Sequence, residues 1–259
     1  MNKNLDLNAT CLAVLLALLM APAGSALGAV TLPGGDLWLN GDFDEINYGV
    51  TGLAYVKPFI FVGELAATDK PSDVDAVTNL DYGYQFSGLG TSMLTVTYLI
   101  TNNDAAAFSD LRFMVDVQAD GSDSWNDVAT VVWPAQGTGG PDHYQVEDWF
   151  LVDLPTEIIA NNGLNDTDAC GGLTCDVDFG LQWNLASIAP GQTWQIVVGL
   201  SDDGSTLSNR FLQATSADTM NTELTFSGNA SVIPLPAAAW LFGSGLLGLV
   251  VVARRKVCA

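Results

Sequence analysis

Positive charge is the scarcest property of this 259-residue chain: eight Lys and Arg stand against 29 Asp and Glu, with a single histidine. Lys3, Arg254, Arg255 and Lys256 lie at the ends. Between residues 30 and 231 only Lys57, Lys70, Arg112 and Arg210 remain against 28 acidic residues, a net of about −24 (4 minus 28). Binding to a polyanion gains from counterion release only when the protein carries the opposite sign, so this balance argues against nucleic acid or an anionic membrane surface as a partner. It suits solubility, divalent cations or a hydrated matrix.

The lone histidine limits the chemistry further. A Ser or Cys nucleophile needs a positioned base, and His143 is the only imidazole, set beside Asp142 in a Gly-Pro loop. The sequence has no Gly-x-Ser-x-Gly elbow, phosphate-binding Gly loop, dinucleotide fingerprint or zinc motif. A glycosidase needs two carboxylates at a set separation, but among 28 some pair always suits, so that pattern discriminates nothing. A non-enzymatic protein is expected, with a secreted hydrolase the weaker alternative.

Cysteine is also sparse. Of four, only Cys170 and Cys175 lie between the two ends of the chain, separated by Gly-Gly-Leu-Thr. An even count in an exported protein predicts a disulfide that stiffens a turn. Zinc lacks the further ligands it would need.

Export itself is read from the first 28 residues. Lys3 precedes the ten-residue apolar core Cys11–Met20, and small residues follow from Ala21 to Ala29. That is the pattern of a secretory signal peptide, too short to span a bilayer. The last 28 residues, 232–259, are organised differently. Residues 237–253 carry no charge and as a helix would reach about 25 Å, enough for a thin hydrocarbon core. Arg254, Arg255 and Lys256 follow as a basic stop on the cytoplasmic side. Pro234 and Pro236 cannot continue into a helix and leave an extended segment before it. A plain C-terminal anchor is one reading.

Ile233, Pro234, Leu235, Pro236 and Ala237, followed by a small-residue apolar run and an Arg-rich end, resemble the VPLPA variant of the PEP-CTERM sorting signal, with Ile233 where the pattern has Val. The resemblance covers only this tail. It implies handling by exosortase, a membrane-embedded cysteine protease that cuts near the motif, after export past signal peptidase and transient anchoring in the inner membrane. It further implies a Gram-negative envelope, a final place at the cell surface or in the extracellular matrix, and an association with exopolysaccharide or biofilm.

Residues 29–231 read as one secreted domain. Leu94, Val96, Tyr98 and Ile100 alternate with Thr95, Thr97 and Thr101. The same two-residue period runs through Leu111–Val117, Val177–Leu185, Trp194–Leu200 and Leu224–Phe226, with Asn, Asp, Gly and Pro turns between. An all-β antiparallel β-sandwich is expected. The Asn-rich turn 101–103 and the Ala189-Pro190-Gly191-Gln192 bend resemble immunoglobulin-like modules of bacterial surface proteins, which bears on fold alone. Around residues 157–162 at most a turn of helix is expected. Residues 135–143 read as a mobile loop, and Ser227–Ser231 as a polar spacer leading to the tail.

Two ligand classes follow from what the domain does contain. Six of the seven tryptophans lie in it, and flat indole faces suit sugar rings, so a carbohydrate-binding module with the same address is the main alternative function. Trp183 and Trp194 fall on apolar strand faces and are expected in the core, which leaves Trp125, Trp133 and Trp149 as candidates for exposure. The second class is calcium, which takes six to eight oxygen ligands. Asp120, Asp123 and Asp127 in one loop, Asp166 and Asp168 in another, and Asp176 and Asp178 on the polar face of a strand are its candidate ligands, with Asp202-Asp203-Gly204-Ser205 a third acidic turn. Their spacing fails the EF-hand pattern, and Asp is also an ordinary turn residue in a chain acidic throughout.

Overall fold

The computed structural model describes residues 44–48, 52–63, 80–120, 126–152, 154–217 and 222–234. The signal peptide 1–28, the end of the sorting motif from Leu235 onward, the span 237–253 and the basic stop lie outside them. Among the described residues no helix is long and apolar enough to cross a membrane.

Thirteen strands and one helix make up this part of the chain. They are β1 (Asp44–Tyr48), β2 (Gly52–Val62), β3 (Leu80–Ser87), β4 (Met93–Asn102), β5 (Phe108–Asp120), β6 (Asp127–Val132), β7 (His143–Asp148), α1 (Leu154–Asn161), β8 (Thr167–Asp168), β9 (Thr174–Cys175), β10 (Val177–Ile188), β11 (Thr193–Ser201), β12 (Phe211–Ser216) and β13 (Thr222–Ile233). One sheet runs β1-β2-β5-β10-β7-β8 and the other β3-β4-β11-β13-β12-β6-β9. Every pairing is antiparallel except the short β7–β8 pair. The protein is thus an all-β sandwich of two antiparallel-rich sheets.

The two-residue period explains the core. On β10, Val177, Phe179, Leu181 and Trp183 point between the sheets, and register places them against Val117, Val115, Phe113 and their neighbours on β5. From the facing sheet, Tyr98, Ile100, Trp194, Ile196, Val198 and Phe226 close the same cluster, all essentially without exposure. Rings interlock across the layers, with Phe113 4.9 Å from Tyr98 and 6.4 Å from Trp194 between centroids. Offset and edge contacts of this kind add to the area that aromatic side chains bury.

Two expectations are corrected here. Around residues 157–162 the chain forms a full helix, α1, not a single turn. Pro155 stands in its first turn, where a missing N–H costs nothing, and Glu157 faces the positive end of the dipole. Leu154 and Ile158, one turn apart, pack with Leu164 on Phe59, Phe61 and Met114 from the outer face of the first sheet. That face is therefore roofed, and β10 is buried on both sides from Val177 to Trp183. Gly180 sits under the roof because a Cβ there would come within 3.0 Å of the Leu164 methyls. The consequence for Asp178 is direct: it lies on the outer face as its alternation requires, yet it has no exposure, and Asp116 and Asp176 are buried as well.

The second correction concerns Ser227–Ser231, which is sheet and not spacer. β13 pairs with β11 without a break from Ser201↔Thr225 to Thr193↔Ile233, and Ser227 is fully buried. The sheet thus runs two residues past the boundary expected at 231. Gly228 makes this possible, since a Cβ there would lie 2.6 Å from Trp183 Cζ2 and 2.7 Å from the Val197 carbonyl oxygen. Gly228→Ala is expected to cost about 1–3 kcal/mol by overpacking, lowering Tm by several degrees. Gly83→Ala, in an open site on β3, should leave Tm unchanged or slightly raised. Equal melting temperatures for the two variants would contradict this packing.

Candidate functional site

Helix α1 is followed by Asn162, with a left-handed φ of 55°, and Gly163, with φ 154°. Left-handed residues at this position close a helix by supplying donors to its last carbonyls, and here the Gly163 N–H reaches the Ile158 carbonyl at 3.3 Å. The chain then turns back over the outer face of the first sheet. Even-numbered residues of β10 and odd-numbered residues of β7 hold it there. Gln182, 3% exposed, accepts the Leu164 N–H at 2.8 Å through Oε1 and donates to Asn184 Oδ1 at 2.7 Å. Gln145 accepts the Asn165 N–H at 3.3 Å and donates to Glu147 at 2.7 Å. Both ends of each buried amide are thereby used.

Between the helix end and β10 lies an open cavity of about 420 Å³. Its walls carry Asn161, Asn162, Asn165 and Asn184, with Arg112 and His143 at its sides. None of its described lining residues is a carboxylate, serine or cysteine. Both basic groups are already matched. Arg112 donates to the two Asp110 oxygens at 3.3 and 2.9 Å and to the Asn162 carbonyl at 2.7 Å. His143 Nδ1 lies 2.9 Å from Asp166 Oδ2, and the other Asp166 oxygen accepts the Tyr144 N–H at 3.0 Å. The Tyr144 hydroxyl is pushed up, first by burial and then by the Asp166 and Asp168 charges. The groove is near-neutral and dominated by amides.

A second cavity, of about 280 Å³, opens between the sheets where Trp183, Trp194 and the last residues of β13 meet. Asn184 borders both cavities. The segment 135–143 covers this edge of β10, and it is anchored at many points where a mobile loop was expected. Asp142 accepts from Gln136 Nε2 at 2.9 Å and from the Asn184 N–H at 2.6 Å. Arg210 donates to the Pro134 and Pro141 carbonyls, and the Ala230 N–H donates to Gly139.

The aromatic candidates divide. Trp183 and Trp194 are in the core, 1% and 2% exposed. Trp133 is half-buried under the Arg210 guanidinium at 4.7 Å and beside Tyr144 at 4.7 Å, so its ring is already engaged. Trp149 is half-buried, and Trp125 lies outside the described residues. Stacking on exposed indoles is therefore not what the described surface offers.

The candidate calcium ligands that the structure describes fall on several elements. Asp120 ends β5, and Asp123 lies outside the described residues. Asp127 is buried on β6 opposite Cys175, which neighbours buried Asp176. Asp178 pairs in register with Gln118 and Glu147. Asp166 orients His143, and Asp168 accepts the Gly171 N–H at 2.8 Å in the loop closed by the Cys170–Cys175 disulfide. Among the described residues no three His, Cys, Asp or Glu side chains converge on one point. The third acidic turn is split by its environment. Asp203 accepts from Ser92 at 2.7 Å and from the Ser205 N–H at 2.9 Å, and the bonds to Ser205 and then Ser92 hold its carboxyl down. The Asp202 carboxyl is pushed up by burial and by the Asp203 charge, and its oxygens have no hydrogen-bond partner among the described residues.

No family model, no curated protein and no solved structure matches the chain. None of this groove was singled out from the sequence; the signal that would have marked it is the amide-rich run Asn161-Asn162-Gly163-Leu164-Asn165. What the sequence could not show was that Gln182 and Asn184 of β10 lie beneath it.

The raised Asp202 carboxyl has a measurable sign. The folded state holds that proton more tightly than the unfolded chain, so ionisation lowers stability as pH rises from the unfolded value through the folded one. Asp202→Asn is expected to raise Tm at pH 7, and the gain should vanish below about pH 3, where both states are protonated. A Tm difference independent of pH, measured by thermal melts, would contradict the assignment.

Proposed function

We propose that the chain is a non-enzymatic, exported protein of the cell surface or extracellular matrix, with an immunoglobulin-like sandwich as its body and a PEP-CTERM-type tail as its sorting signal. Signal peptidase and the export machinery act on residues 1–28. Segment 237–253 holds the protein transiently in the inner membrane, with Arg254, Arg255 and Lys256 on the cytoplasmic side, and exosortase processes the segment Ile233–Ala237. The matured body then meets extracellular polysaccharide.

The observation that carries this reading is the hand-off at the end of β13. Ile233 is still paired to Thr193, while Pro234 leaves the sheet exposed. A proline cannot extend the ladder, because it has no N–H to donate. The described sheet therefore ends on the first residue of the motif, and the protease would act directly beside a folded domain. The groove supports a binding role over a catalytic one, since its described lining offers no nucleophile and no carboxylate pair.

Pro234→Ala combined with Pro236→Ala should let helix extend back toward the sheet and block the cut. Mass spectrometry of the cell-associated protein is then expected to show a C-terminus reaching Ala259, against a shorter chain in the parent. The same shortened C-terminus in both would leave a cut that does not read the motif and would defeat the sorting proposal.

A further inference from the structure

We infer that the groove between the C-terminal end of α1 and the outer face of β10 binds a neutral oligosaccharide. The inference rests on the surface-protein reading for the source of the ligand and on geometry for its class.

The first argument is charge. In a domain this acidic, a cavity without a carboxylate on its described walls is unusual ground; the Arg112 guanidinium beside it is paired with Asp110, and the His143 ring is hydrogen-bonded to Asp166. An anionic sugar would find no uncompensated cation there. It would also meet the repulsion of the whole domain. A neutral ligand escapes both.

The second argument is hydrogen-bonding capacity. A sugar hydroxyl both donates and accepts, and a primary amide offers both functions in one plane. Four asparagines line the cavity. Asn184 spends Oδ1 on Gln182, and Asn161 spends Nδ2 on Glu157 at 2.7 Å. Each retains the other half of its amide. His143 is engaged through Nδ1, which leaves Nε2.

The third argument is rigidity. The walls are a pinned loop and the centre of a sheet, with Gln182, Gln145 and Arg112 fixing the backbone from Asn162 to Asn165. Binding then orders few protein groups, which removes one of the costs of association. The cavity, about 420 Å³, falls within the size range of small-ligand sites. Recognition here comes from hydrogen bonds with no aromatic platform, so it is expected to be of millimolar to micromolar strength per site and strengthened by avidity on a polymer.

The test uses the full mature chain in detergent on an immobilised panel of neutral glucans, galactans, mannans and xylans alongside uronate-bearing polymers. Saturable binding to at least one neutral glycan is expected, weakened about fivefold or more by Asn184→Ala and by Asn162→Gly. Asn162→Gly keeps the left-handed backbone and the carbonyl that Arg112 uses. Gln85→Ala, on the far sheet, should bind as the parent does. Hydrogen exchange on the unmodified protein gives an independent readout, with amides 161–165 slowed by the bound glycan. The inference is overturned if no neutral glycan binds at up to about 10 mM sugar, if only uronate polymers bind, or if the two groove variants match the parent. The groove and the sorting proposal fail separately. A variant that loses the glycan should still be cut at the motif, and a chain left uncut should still bind.

Discussion

The alternation of side chains along β10 is the constraint on which the rest of the structure depends. Its odd-numbered residues, from Val177 to Trp183, fill the space between the sheets, and its even-numbered residues, Asp178, Gly180, Gln182 and Asn184, make the floor on which α1 and the loop after it rest. A one-residue slip against β5 would exchange the two sets. Trp183 would then face the roof and Gln182 the core. Pairing with β5 from Asp178 to Leu185 and again at Ser187 and Ile188, and with β7 from Val177 to Gln182, opposes any such slip.

Because β10 is covered on both sides, its polar residues are held to a stricter standard than those of a surface strand. A buried amide left half-used would cost about 1–3 kcal/mol, and Gln182 and Gln145 avoid this by taking loop N–H groups as donors and passing their own N–H groups to Asn184 and Glu147. The bonds that satisfy the sheet also shape the groove. Structural economy and the proposed binding role therefore draw on the same residues, and the discriminating groups are those the fold does not need, above all Asn162 and the second half of the Asn184 amide.

The sandwich was legible from the sequence because a period of two sustained over Leu94–Ile100, Leu111–Val117 and Trp194–Leu200 has one physical solution, a strand with an apolar face. The core placement of Trp183 and Trp194 followed from the same rule. What misled was composition. Ser227–Ser231 has little apolar character, yet Gly228 is there to admit the Trp183 ring and Ser227 to accept the Leu207 N–H at 2.9 Å, so small polar residues mark close packing and not a linker. Asp178 looked like a surface ligand because alternation reports which face a residue takes and not what lies over that face. The groove needed four separate segments brought together, and a single sequence carries no record of that meeting.

The central claim is that β13, inside the second sheet, carries the fold up to Ile233 and delivers the chain directly into the proposed sorting segment at Pro234. Hydrogen exchange along this strand in the purified full chain tests it most directly. Amides from Phe226 to Ile233 that bond to β11 are expected to exchange as slowly as those of Ile196–Leu200, with protection ending abruptly at Leu235. Fast exchange across Ser227–Ser231, as in an unpaired spacer, would contradict the claim and detach the tail from the fold.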